Sequence, residues 1–583
     1  MIETVDATSA PSPHSPFARA PSPRRDLLRL ALGVLVLVAS GIGWRHPWPA
    51  DEPGFVQVAR EMAAHGSWLT PSMGGELYDD KPPLYFWLLA AGYWATGSVR
   101  WTFLLPSLAA AFGIVGLTYD LARRLAGRAA ALAAGALLLT TVQFVLQMRS
   151  AQIDATLCLA TTLSFYALLR HLLLGPAWGW YFVSGLAAGL GVITKGVGFL
   201  PLLALAPYSA LRARGFEPLP SMRGGWRWTL APLGLLLGIA IWVAPMLAQV
   251  AASGDPRLIA YRHGILFRET ATRYFDPWHH RHPWYYFIAE VIPVLWLPAS
   301  ALVIWLAPKW KRAWQSRDAR VWLPLSWAAL VVIFFSASPG KRGLYVLPAL
   351  PAFALAAAPF LPEIFRRRGA VRLGEALAAA VIAGTAGFAI ADAAGVRGIV
   401  QIAREGGLTS VMPIALVPAA AAAAALAAWR RRPILVWPAT LAACALAFSC
   451  AIEPRIDAQR SGEAFMRAAL ARVPSGDALG LVEYKYQFLL YLDRPVVDFG
   501  HRRWLDPLAE QHDAARWLEA APRRVLLVPR SELEPCFARS PRQQVGETAG
   551  DAWFLVQAPA SPGCAAQGDP ARALDFRPPV PPL

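Results

Sequence analysis

The sequence predicts an α-helical polytopic membrane protein with a small α/β domain after its last span. Three observations predict it. Of 583 residues, 56% are hydrophobic and only 16% charged, whereas soluble chains carry about a quarter charged residues. Apolar stretches of bilayer length recur from residue 27 to about 452, separated by short basic clusters. Beyond 452 the chain turns polar, with short segments of helical and strand-like spacing. The net charge of +17 sits in the clusters between spans. It therefore points to orientation in a bilayer and away from nucleic acid.

Taken in order, residues 1–26 are rich in Pro, Ser and Ala and read as a disordered N-terminus. The apolar run 27–43 follows a basic flank and reads as an uncleaved first transmembrane helix. A span needs roughly 20 mostly apolar residues. The further candidates are 84–122, 129–147, 155–170, 178–193, 196–211, 228–251, 284–307, 321–336, 343–361, 374–392, 411–428 and 433–452. The count is about thirteen crossings, with 84–97 as an interfacial piece and 101–122 as the span proper.

Arg24, Arg25 and Arg29, then Arg123, Arg124 and Arg128, Lys309, Lys311 and Arg312, and Arg430 to Arg432 fall on one side by alternation. That side is expected to be cytoplasmic. The segments 44–83, 148–154, 252–283 and 337–342, and the domain 453–583, then share the outer face. In that domain Gly462–Arg472 reads as a helix and Ala478–Glu483 as a strand. Ala514–Glu519 reads as a second helix, and Arg524–Val528 and Trp553–Gln557 as further strands. Cys536 and Cys564 lie there without metal-like spacing, which leaves a disulfide or two thiols. The domain shows no phosphate loop or nucleophile motif and is assigned no chemistry.

The span interiors hold almost no ionisable groups, Glu290 being the main exception. A lipid or oligosaccharide transporter would place charges near mid-membrane. Here they gather at the span boundaries, above all in Asp51–Pro83, which opens with Asp51-Glu52 and closes with Asp79-Asp80-Lys81-Pro82-Pro83. That pattern favours chemistry at the membrane surface over transport through it.

Several motifs then occur together. Asp51-Glu52-Pro53, Ala59-Arg60-Glu61-Met62, Gly66-Ser67-Trp68 and Lys81-Pro82-Pro83-Leu84 make the first. Gly189-Leu190-Gly191-Val192-Ile193-Thr194-Lys195-Gly196 and His282-Pro283-Trp284-Tyr285-Tyr286 follow. Phe335-Ser336, Gly340-Lys341 and Tyr345-Val346-Leu347-Pro348 complete the set. In this order they resemble the bacterial lipid A aminoarabinose transferases, GT-C glycosyltransferases related to the protein O-mannosyltransferases. The resemblance implies a GT-C fold in the bacterial inner membrane. It also implies a sugar donor on polyprenyl phosphate and transfer to lipid A, or to another glycan or protein acceptor, on the outer face. 4-Amino-4-deoxy-L-arabinose is the best-known sugar of the family.

By this resemblance Asp51 and Asp154 are the catalytic acids, and Lys81, Arg268, Tyr345 and Lys341 meet the lipid phosphate. Asp80 with His263 is a candidate divalent-metal pair, although an Asp stands where the family pattern has Glu. The residues also have plainer readings. Asp51 and Asp154 suit helix N-caps, and Glu52 a capping or water-facing role. Lys81 suits a snorkelling lysine, Tyr345 an interfacial aromatic, Arg268 a solvated loop residue, and Lys341 loop packing.

Overall fold

The computed structural model describes residues 23–220, 222–267, 281–408, 410–500 and 506–579. Seven helices among them are long and apolar enough to cross a membrane: Val99–Ala126, Ile153–Leu174, Gly225–Ser253, Ala319–Ala337, Arg368–Ala393, Met412–Arg431 and Pro433–Arg472. Arg128–Thr140 and Val142–Met148 add an eighth if that bent pair is one span. Their 66° bend has a local cause. The Thr140 and Thr141 hydroxyls donate to carbonyls one turn back, at 2.8 and 2.7 Å, which competes with the helix ladder. Other expected spans are helical only in pieces. Residues 200–204 are 3-10 before Leu205–Ala213, and 284–307 breaks around 296–302. The 343–361 stretch divides near Pro348. The expected division of 84–122 is present, as Leu84–Thr96 and Val99–Ala126.

The first helix, Pro23–Val34, starts inside the stretch expected to be disordered; residues 1–22 of that stretch lie outside the described residues. Asp26 is the reason. It is fully buried, where Arg128 donates to it at 2.7 Å and the Tyr119 hydroxyl at 3.1 Å.

Glycine explains the junction that carries Lys195. The helix Trp178–Lys195 packs on Leu230–Ser253 with backbones in close approach. A Cβ at Gly185 would meet the Ala231 carbonyl at 1.9 Å, and one at Gly189 the Leu235 carbonyl at 2.4 Å. Small residues permit such approach. Gly196, at φ +70°, then ends the helix and leaves Lys195 at its tip.

After the last span a six-stranded sheet forms. Its strands are β3 (Ala478–Leu481), β4 (Val496–Asp498), β5 (Arg524–Pro529), β6 (Arg542–Thr548), β7 (Asp551–Val556) and β8 (Leu574–Phe576), in the order β6-β7-β5-β3-β4-β8. β3 is parallel to β4 and β5, and the remaining pairings are antiparallel. β3, β5, β7 and the helix Glu463–Arg472 lie where the pattern puts them, and Pro507–Glu519 extends the second expected helix. β4 and β8, of three residues each, and the largely exposed β6 give too little apolar alternation to read from sequence. Cys536 and Cys564 are joined in a disulfide.

This domain shares a core with the first loop. Phe55, Met62, Tyr85 and Phe86 pack in one cluster with Phe465, Phe488 and Trp553. Buried Arg60 donates to the Leu490 and Pro579 carbonyls. A small hairpin, β1 (Ser72–Met73) and β2 (Glu76–Leu77), turns on Gly74 and Gly75, at φ +67° and +85°. Two consecutive positive φ values need glycine. Glu61 holds the hairpin through the Gly74 amide at 2.7 Å and the Ser72 hydroxyl at 2.8 Å.

Asp498, at the end of β4, is 1% exposed; its Oδ1 accepts the Gly500 amide and its Oδ2 is buried without a partner among the described residues. Burial pushes this carboxyl well above the usual range, and Glu76 and Glu61 reinforce the shift. The folded state therefore holds a proton that the unfolded chain loses near pH 4. Stability from this group is full below that pH and declines as pH rises toward the raised value. Asp498→Asn is expected to raise the unfolding midpoint at neutral pH and to flatten its fall with pH. Unfolding followed by intrinsic fluorescence from pH 4 to 8 checks this.

Candidate active site

The centre of the site is a buried hub around Glu52. Glu52 is 5% exposed and makes a two-pronged ion pair with Arg45, at 2.5 and 2.9 Å. It also accepts the Trp48 amide and the Ala151 amide, both at 2.8 Å. This corrects the capping or water-facing reading of Glu52. The residue ties the first loop to the 148–154 turn, and so places Asp51 near Asp154. Arg149 reinforces the junction, donating to the Leu37 carbonyl, the Ser40 and Ser449 hydroxyls and Glu453.

Asp51 stands at the N-cap position of the helix Glu52–His65 but makes no side-chain cap bond. Its Oδ2 instead accepts from Arg342 at 2.7 Å, across 291 positions of sequence. Its side chain stays 24% exposed, so a substrate can reach it. Asp154 is 3% exposed, in the first turn of Ile153–Leu174. The positive end of that helix favours a carboxylate there. Lys195 donates to its Oδ1 at 2.6 Å and lies 4.6 Å from the centroid of the Tyr345 ring. Arg342 lies within electrostatic reach of Asp51, Asp154 and Tyr345. The two acids, Arg342, Lys195 and Tyr345 therefore form one constellation. Tyr85 belongs to it as well. It is fully buried, its hydroxyl has no hydrogen-bond partner among the described residues, and it lies within electrostatic reach of Glu52, Asp154 and Asp51.

Lys81 donates to the Asp80 carbonyl at 2.8 Å and is half-buried ahead of the helix Leu84–Thr96. Tyr486 of the sheet domain lies within electrostatic reach of both Asp80 and Asp51. Lys341 departs from expectation. It is 2% exposed, its ammonium donates to the His282 carbonyl at 2.8 Å and the Ser338 carbonyl at 2.5 Å, and burial lowers its pKa. It ties two loops together, and its neighbour Arg342 takes the place facing Asp51. Arg268 lies outside the described residues.

His263 packs its ring 5.5 Å from Phe267, and Asp80 holds Lys81 through its backbone. Among the described residues, the clusters of three or more ligating side chains are His46, Asp457 and Glu463, and His512 with the disulfide-bonded Cys536 and Cys564. Asp80 and His263 belong to neither.

Lys195, Tyr85 and Tyr486 are the site groups to which the sequence alone gives no role, and Arg342 reads there only, with Lys341, as outer-face positive charge that favours a bound anion. Lys195 does lie within a motif, and a charge at the tip of a span between two glycines is the signal that marks it. Nothing local marks Tyr85 or Tyr486.

Comparison with known proteins gives a consistent result. Residues 80–244 match the family model for dolichyl-phosphate-mannose-protein mannosyltransferase. The chain is 31% identical over 425 residues to the undecaprenyl phosphate-alpha-4-amino-4-deoxy-L-arabinose arabinosyl transferase of Pseudomonas aeruginosa, covering 70% of this chain and 73% of that one. The fold is similar to that of ArnT from Cupriavidus metallidurans. With undecaprenyl phosphate bound to that protein, the TM-score is 0.68 at 19% identity over 94% of this chain and 100% of that one. With its apo state the TM-score is 0.65 at 20% identity, covering 93% and 98%.

Lys195→Met leaves the Asp154 charge buried and unpaired. It is expected to destabilise the protein by about 3–5 kcal/mol. Adding Asp154→Asn should recover more than half of that loss, measured by chemical unfolding in detergent. Additive losses would show that the two side chains do not act as a pair.

Proposed function

The chain belongs to the undecaprenyl phosphate-aminoarabinose arabinosyl transferase family, and we propose that it moves 4-amino-4-deoxy-L-arabinose from undecaprenyl phosphate to lipid A or a related envelope acceptor. It is a membrane glycosyltransferase that uses a sugar carried on a polyprenyl phosphate. The observation that carries the reading is the convergence of Asp51 and Asp154 with Arg342 and Lys195, from four separate segments.

Glycosyl transfer passes through an oxocarbenium-like centre. In a single displacement with inversion, an acceptor oxygen bonds to the anomeric carbon as the bond from that carbon to the phosphate oxygen breaks. The electron pair leaves on the lipid phosphate. Lys81 and Arg342 meet the charge that develops there, an interaction stronger in the transition state than in the ground state. Arg342 can do this while holding Asp51, because its guanidinium has five donors in a planar fork. Asp51 is the more open acid and takes the proton of an acceptor hydroxyl, or orients an acceptor phosphate that has none to give. Asp154, buried against Lys195, stabilises the positive sugar centre and fixes the lysine. Tyr345 packs beside that lysine and lines the phosphate end.

In this reading the chain crosses the bacterial inner membrane about thirteen times. The N-terminus is cytoplasmic, and the catalytic loop and the 453–583 domain are periplasmic. The basic clusters on alternate loops and the disulfide in that domain support this orientation.

A deletion strain complemented with wild type or Asp51→Asn provides the test. Mass spectrometry of lipid A and envelope glycans is expected to show one aminoarabinose-sized addition lost in the deletion. At equal protein abundance Asp51→Asn should restore less than about 1% of it. Full restoration by Asp51→Asn would remove this acid from the chemistry, and a mannosylated protein as the missing product would change the sugar and acceptor.

A further inference from the structure

The sheet domain reaches the active site through the turn that follows β3. Tyr486 lies against the first turn of the catalytic helix, so close that a Cβ on Gly54 would meet its ring at 2.9 Å. Beside it is a partly open cavity of about 270 Å³ that Pro49 and Ala50 line from the loop side, directly before Asp51. Glu483, Lys485, Tyr486 and Glu510 face it from the domain. The polar groups are set in place. Glu483 has a left-handed backbone, φ +48°, and its amide donates to Glu510 at 2.8 Å. Its carboxylate accepts from Lys485 at 2.7 Å. Positive φ in a residue other than glycine, Asn or Asp is uncommon and accumulates at functional positions.

Resting on the function proposed above, we infer that this cavity is the acceptor subsite and holds one hydroxyl-rich sugar ring of the acceptor's head group, with Tyr486 orienting that ring toward Asp51. The chemistry of the lining selects this occupant. Among the described lining residues two carboxylates, Glu483 and Glu510, stand against one ammonium, Lys485, which disfavours a bare phosphate. A sugar can both donate to the carboxylates and accept from the ammonium. The volume lies just below the roughly 300 Å³ at which small-molecule sites begin, which suits one ring and excludes a folded peptide. Tyr486 supplies a flat apolar face for a sugar ring to lie on. Burial pushes its hydroxyl up to about 12, so at neutral pH the phenol is protonated and donates. The domain thus acts in the reaction by positioning the nucleophile, with the bond changes left to the loop acids and cations.

The test uses the full chain in detergent. With purified donor and lipid A, Lys485→Met and Glu483→Gln are expected to raise the acceptor KM about tenfold, with donor KM changed less than about twofold. Tyr486→Phe should raise acceptor KM in the same manner. In parallel, saturation-transfer NMR with N-acetylglucosamine should give a signal with wild type that Lys485→Met weakens. Unchanged acceptor KM in all three variants, or equal changes in both KM values, would overturn the subsite. So would the lack of an N-acetylglucosamine signal with wild type. If the wild type transferred no aminoarabinose to any acceptor, the functional reading would fail and the NMR arm would still decide the subsite.

Discussion

Glu52 lies beside the open acid of the site and is itself closed to solvent, with all its bonds directed to the Arg45 guanidinium and to the Trp48 and Ala151 amides. Those bonds fix the loop before Asp51 against the turn before Asp154. A buried ion pair gives modest net stability, and removing one partner costs several kcal/mol, about 3–5. Its value here is positional. The two acids come from separate helix starts, and this clamp joins the segments directly before them.

The same logic extends outward in shells of opposite charge. Asp51 meets Arg342, Asp154 meets Lys195 and Glu453 meets Arg149, and beyond them Asp457 is hydrogen-bonded to His46 at 2.7 Å. The Glu453 and Asp457 pairs fasten the loop and turn to the helix that leads into the sheet domain. The Arg60 bonds and the shared aromatic core fasten the domain itself to the catalytic helix. The domain is therefore a wall of the site, and Tyr486 is the residue through which it acts.

Much of this was legible in the sequence because bilayer insertion and backbone geometry leave strong local marks. Apolar length marked the helical stretches, and the expected division of 84–122 into an interfacial piece and a span is present as Leu84–Thr96 and Val99–Ala126. The motifs contain Asp51 and Lys81, and the resemblance points to Asp154 in the 148–154 turn. What was not legible depended on long-range pairing. Whether Lys341 or Arg342 faces the acid depends on which one the loop buries, and the sequence offers two adjacent cations with equal claim. Glu52 reads as a surface acid until Arg45 and Ala151 are folded onto it. The pieces of broken helix in 196–211, 284–307 and 343–361 keep span-like composition, so composition alone did not show their interruptions. In the sheet domain, three-residue strands carry no period to detect.

The central claim is a division of labour, with cations holding the lipid phosphate and Asp51 acting on the transfer. Native mass spectrometry of the detergent-solubilised chain with undecaprenyl phosphate, without a sugar, tests it most directly. The account predicts that Lys81→Met and Arg342→Met each lose at least about 90% of the lipid-bound population, while Asp51→Asn retains it. Loss of the lipid in Asp51→Asn, with retention in both cation variants, would contradict the account.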